Sequence, residues 1–130
     1  MVLSWHGEFC FKIQTGEQVI VLDPYGKEKD SRPPRFEAKI ALFTDPSGSH
    51  QSTIEGNPLV FSTPGEYEAG GISFLGFAAD NITPFLIEAE DLSLLALGRL
   101  ESREAVEKIL QNIEAPDILI MSLGDSPAAS

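Results

Sequence analysis

The amino-acid sequence predicts an α/β (α+β) domain that is mostly β with one clear helix. Three observations carry that expectation. From Phe9 to Leu97 the apolar residues come in short runs separated by turn chemistry, and such runs read as strands. Only the segment that follows Ser102 repeats its apolar residues with helical spacing. That segment lies between two apolar runs, and strand, helix, strand in succession reads as a β-α-β crossover.

Taken in order, Phe9 to Gln14 and Gln18 to Leu22 are two strands joined at Thr15-Gly16-Glu17, a hairpin signal. Asp23-Pro24-Tyr25-Gly26 stops the second strand, because Pro24 cannot donate to a ladder. The charged stretch from Lys27 to Arg35, with Pro33-Pro34, reads as an exposed loop. Lys39 to Phe43 is nearly continuous in apolar residues, which suits a strand covered on both faces. After a polar loop over Thr44 to His50 come strands at Leu59 to Phe61 and Gly71 to Phe77, punctuated by Pro64-Gly65 and Gly70-Gly71. Pro84 to Glu88 and Leu92 to Leu97 form an antiparallel pair about the acidic turn Glu88-Ala89-Glu90-Asp91. In the helix Ser102 is the N-cap, Glu104 suits the positive end, Val106, Ile109, Leu110 and Ile113 form the buried stripe, and Pro116 ends it. Asp117 to Met121 is the last strand. A single domain over 1–124 with a polar tail at 125–130 is expected.

Nine basic and 20 acidic side chains among 130 residues set the formal charge at −11. A nucleic-acid phosphate backbone is held by clusters of Lys and Arg, so no nucleic-acid partner is expected. With 42% hydrophobic residues the composition is that of a globular domain rather than a disordered acidic chain. A core from a chain of this size buries about two-thirds of the unfolded surface. The one cysteine, Cys10, lies in an apolar run and cannot form an intrachain disulfide, so a reducing, cytoplasmic location is expected. Neither a signal peptide nor a membrane span is legible, since the longest apolar runs fall far short of the roughly twenty residues a bilayer needs.

Several of these segments resemble the metallo-β-lactamase-fold hydrolases, in particular a branch of small bacterial Zn-dependent hydrolases. They are the opening hairpin Trp5 to Ile13, the turn Val21-Leu22-Asp23-Pro24, the strand Ile40 to Thr44, Pro64-Gly65-Glu66-Tyr67-Glu68 running on to Ile72, and Glu101 to Ser122. The resemblance spans nearly the whole chain and implies a shortened αββα sandwich with a metal site on one edge. In that family a His-x-His-x-Asp-His motif follows the Thr44-equivalent strand. Imidazoles and carboxylates there hold divalent metal, which lowers the pKa of bound water to make a nucleophile.

Carried over residue by residue, the motif places Asp45, Ser47, Ser49 and His50 at the four ligand positions, and only His50 keeps its expected type. Serine hydroxyls are poor zinc ligands. A further expected His falls near Ala78 or Ala79, and the bridging Asp of a Gly-Asp pair falls at Arg99, whose charge opposes a cation. His50 and Asp45 are thus remnant metal-site candidates. His6 matches the opening motif and reads as structural more readily than as a ligand. Glu66 and Glu68 share one face if their segment is extended, as a carboxylate pair for acid/base work would require, although a turn residue and a solvated charge explain them as well. Cys10 reads as core packing, because an extended segment would hold it roughly 13 Å from His6.

The expectation is therefore a noncatalytic or degenerate metallo-β-lactamase-fold protein acting as a binding or assembly module, with no catalytic residue assigned and no cofactor. Self-association as a homodimer or larger oligomer is expected, because an uncovered sheet edge favours it. The alternative is a metal-dependent hydrolase of a phosphoester or lactone, with zinc or manganese at a remnant site that includes Asp45 and His50 or is shared between subunits.

Overall fold

The computed structural model describes residues 1–7, 9–24, 36–45 and 54–121. Among the described residues twelve strands and one helix follow one another as β1 (Val2–Trp5), β2 (Phe11–Thr15), β3 (Gln18–Leu22), β4 (Phe36–Glu37), β5 (Ile40–Leu42), β6 (Ile54–Glu55), β7 (Leu59–Phe61), β8 (Gly65–Ala69), β9 (Ile72–Gly76), β10 (Phe85–Ala89), β11 (Leu92–Ala96), α1 (Arg103–Gln111) and β12 (Ile118–Ile120). Two five-stranded sheets result, in the orders β1-β2-β3-β5-β7 and β12-β11-β10-β9-β8, with β4 and β6 as a separate parallel pair.

Alternation along the strands decides which side chains enter the space between the sheets. From the first sheet Ile13, Ile20, Leu22, Ile40 and Leu42 point inward, and from the second Ile72, Phe74, Phe85, Ile87, Leu94 and Ala96 meet them. Phe74 and Phe85 are fully buried there, and each such ring is worth about 1.5–3 kcal/mol of transfer free energy. The opposite faces are also apolar. Val21, Ala41 and Phe43 pack with Cys10 outside the first sheet, and Leu86, Leu95 and Leu97 lie under the helix outside the second. Apolar residues on both faces explain the unbroken run Ile40 to Phe43: β5 is parallel to both β3 and β7, and parallel strands are covered on both sides.

The expected sandwich, mostly β with one helix, is observed, and β11-α1-β12 is the expected crossover, since β12 runs parallel to β11. Four strands go beyond the expectation: β1 precedes the first run and pairs with β2, β4 and β6 form a short parallel pair, and Gly65 to Ala69 is a full edge strand paired with β9 rather than a connection. Along one side of the sandwich the sheets are joined by Phe61 stacked on Tyr67, with ring centroids 4.4 Å apart. Elsewhere they are joined by Glu90, in the β10–β11 turn, which accepts from Thr15 Oγ1 and pairs with the Met1 ammonium at 3.3 Å. No helix among the described residues is long and apolar enough to cross a membrane.

Ser102 caps the helix as expected, its side chain accepting from the Ala105 N–H at 3.2 Å. The helix stops at Gln111, before Pro116, because Asn112 turns back: its backbone N–H donates to the Ile109 carbonyl and its side-chain amide to the Lys108 carbonyl at 2.7 Å. The buried stripe is Ala105, Val106, Ile109 and Ile113, whereas Leu110 is exposed. Ser102→Ala is expected to cost about 1 kcal/mol, read as a fall in the urea midpoint with unchanged slope, and Ser102→Asp to restore it.

Candidate functional site

The loops that could carry chemistry leave from the carboxyl ends of β3, β5, β7 and β11. Because β3, β5 and β7 are parallel, Asp23, Thr44 and Ser62 all emerge at the same end of the first sheet. Asp23 organises that end. Its backbone N–H donates to the Leu42 carbonyl at 2.8 Å. Its carboxylate accepts the Thr44 backbone N–H at 2.7 Å and the Thr44 hydroxyl at 2.5 Å. The Thr44 carbonyl in turn accepts the Thr83 N–H at 2.7 Å, which brings in the segment leading to β10. From β11 comes Gly98, at φ +60°, packed directly on the Thr44 side chain. One threonine thus ties together four chain segments.

Burial pushes the Asp23 carboxyl up to about 6, with the nearby Asp45 charge adding to the rise and the hydrogen bonds from Thr44 working against it. At neutral pH this carboxylate is therefore charged at a cost that its donors only partly offset. Cys10, fully buried, is pushed up to about 12, first by burial and then by the Asp23 charge. It is a thiol at any physiological pH, not a nucleophile. His6 and Cys10 lie closer than an extended segment would hold them, because the His6 N–H donates to the Cys10 carbonyl at 2.9 Å and the Cys10 N–H to the Gly7 carbonyl at 2.9 Å. The packing role of Cys10 is unaffected.

Beside this network lies a cleft of about 780 Å³ whose lining includes Asp45, Ser62, Ala78, Ala79, Asp80 and Thr83. Asp45 is thus in the cleft, and Ala78 and Ala79 face it without a donor. Arg99 is exposed, with its guanidinium carbon 4.7 Å from the centroid of the Phe9 ring, an attraction worth about 0.5–1 kcal/mol at such a site. His6 sits in the β1–β2 turn, with Nε2 3.2 Å from the Ser4 hydroxyl. Glu66 and Glu68 do share a face, but it is the exposed face of β8, and neither lines the cleft. Ser47, Ser49 and His50 lie outside the described residues. Among the described residues no three His, Cys, Asp or Glu side chains converge on a point that could hold a metal ion. Zinc takes three protein ligands even at a catalytic centre, and the described lining, which offers only the carboxylates of Asp45 and Asp80 beside two alanines, does not fit it.

The sequence marks Asp23 as a strand terminator and as part of the resembling Val21-Leu22-Asp23-Pro24 turn, but not as the centre of this network, and it gives Thr83 no role. An acid placed at once after a β-branched strand, where a Pro follows, was the available signal for Asp23. Thr83 had none.

Two face-to-face sheets with a crossover helix outside, and loops gathered at one edge, define a metallo-β-lactamase-like sandwich. Residues 2–129 match the family model described as a beta-lactamase superfamily domain, and the chain belongs to that family. A crystal structure from Thermotoga maritima, described as a candidate Zn-dependent hydrolase of the metallo-β-lactamase superfamily, has a TM-score of 0.75 at 24% identity over 95% of this chain and 61% of that one. Zn²⁺-bound PqqB from Methylobacterium extorquens has a TM-score of 0.53 at 12% identity, over 87% of this chain and 56% of that one. The chain therefore spans less than two-thirds of either protein, and likeness at these identities speaks to the fold alone. No curated protein matches it.

Proposed function

We propose that this chain is a noncatalytic member of the metallo-β-lactamase fold, working as a binding or assembly module whose partner is a second copy of itself. The observation that supports the reading is the lining of the cleft. Where a metal centre needs converging donors, the described residues put Asp45 beside Ala78 and Ala79, and the Arg99 that follows Gly98 rests its cation on Phe9. A guanidinium at that edge raises the electrostatic cost of a divalent ion and supplies no lone pair to hold it. A reducing compartment such as the cytoplasm suits the buried Cys10 thiol.

Metal analysis tests this. Protein purified from cultures supplemented with zinc and manganese is expected to carry well below one equivalent of either, with a melting temperature that added metal does not raise. Stoichiometric metal, with a melting temperature that falls on chelation, would overturn the noncatalytic reading. It would favour instead a hydrolase whose metal is held by Asp45 and His50 with ligands from a second subunit.

A further inference from the structure

We draw no further inference here: the strongest candidate, the groove of about 650 Å³ beside the C-terminal end of α1 on the outer face of the second sheet, where Glu88, Glu90, Asp91, Glu114 and Asp117 gather, is an acidic cluster in which Glu90 is already bonded to Thr15 and Asp117 to Ser93, and nothing in the structure shows what covers it.

Discussion

Gly98→Ala is expected to destabilise the protein by about 2–4 kcal/mol, from overpacking of 1–3 kcal/mol and a left-handed backbone that costs a further kcal/mol or so. The added methyl would collide with the Thr44 hydroxyl and lie 2.8 Å from Thr44 Cβ, at a residue held at φ +60°. Overpacking is often relieved by movement of the neighbour, but here the neighbour is fixed. Thr44 donates its N–H and its hydroxyl to Asp23 and accepts from Thr83 through its carbonyl. Any shift that makes room for the methyl must therefore lengthen one of these bonds. Urea unfolding is the measurement, with the midpoint lowered and the slope kept. Combining Gly98→Ala with Thr44→Ala should recover part of the loss, as neighbours that share one contact are not additive. A Gly98→Ala cost under about 1 kcal/mol would rule out this packing.

Asp23→Asn is expected to be more stable than the native chain at pH 8, by about 2 kcal/mol, and no more stable at pH 4. The folded-state carboxyl titrates at about 6 against an ordinary 3.8, so the folded chain holds this proton more tightly than the unfolded one. A raised pKa contributes stability that is complete below the unfolded value and is lost as pH rises from about 4 through about 6. Undamped, the difference would be roughly 3 kcal/mol, and partial contact of the side chain with solvent reduces it. Asparagine keeps an acceptor for the Thr44 N–H, has no charge to desolvate, and tolerates the φ of +49° at this position. Because other carboxylates titrate in the same range, the quantity to follow is the difference between the two chains at each pH. A difference that stays flat from pH 4 to 8 would refute the raised pKa. Asp23→Ala, which strands the Thr44 donors, should instead destabilise at every pH.

Much of this architecture is legible from residue patterning, for reasons visible at individual elements. The hairpin of β2 and β3, the run at β5 and the pair β10–β11 each combine a short apolar stretch with a local turn, and both signals lie within a dozen residues. β8 escapes such a reading because its flanks, Pro64-Gly65 and Gly70-Gly71, are turn residues, and an edge strand needs only one apolar side, supplied by Tyr67. The helix ends earlier than Pro116 because Asn112 caps it through a side chain that reaches back one turn, an effect no local pattern marks. At the site, the family resemblance puts Asp45 and Ala78 or Ala79 at metal-ligand positions, and all three residues line the cleft. The knot of Asp23, Thr44, Thr83 and Gly98 was not legible. Its bonds join residues far apart in the chain, 21 positions apart for Asp23 and Thr44, and no local pattern records a contact of that range.

Among the described residues each five-stranded sheet is drawn from one half of the chain, the first from residues 2–61 and the second from 65–120, and no strand crosses over. The core between them is therefore the interface of two bodies joined by Ser62, Thr63 and Pro64. Separated, each half would present a broad apolar face to water and would have to find the other by diffusion. A tether this short makes their encounter unimolecular, at an effective concentration far above that of the protein in solution. The marginal length of several strands is tolerable on those terms, because neither sheet ever has to persist without its mate.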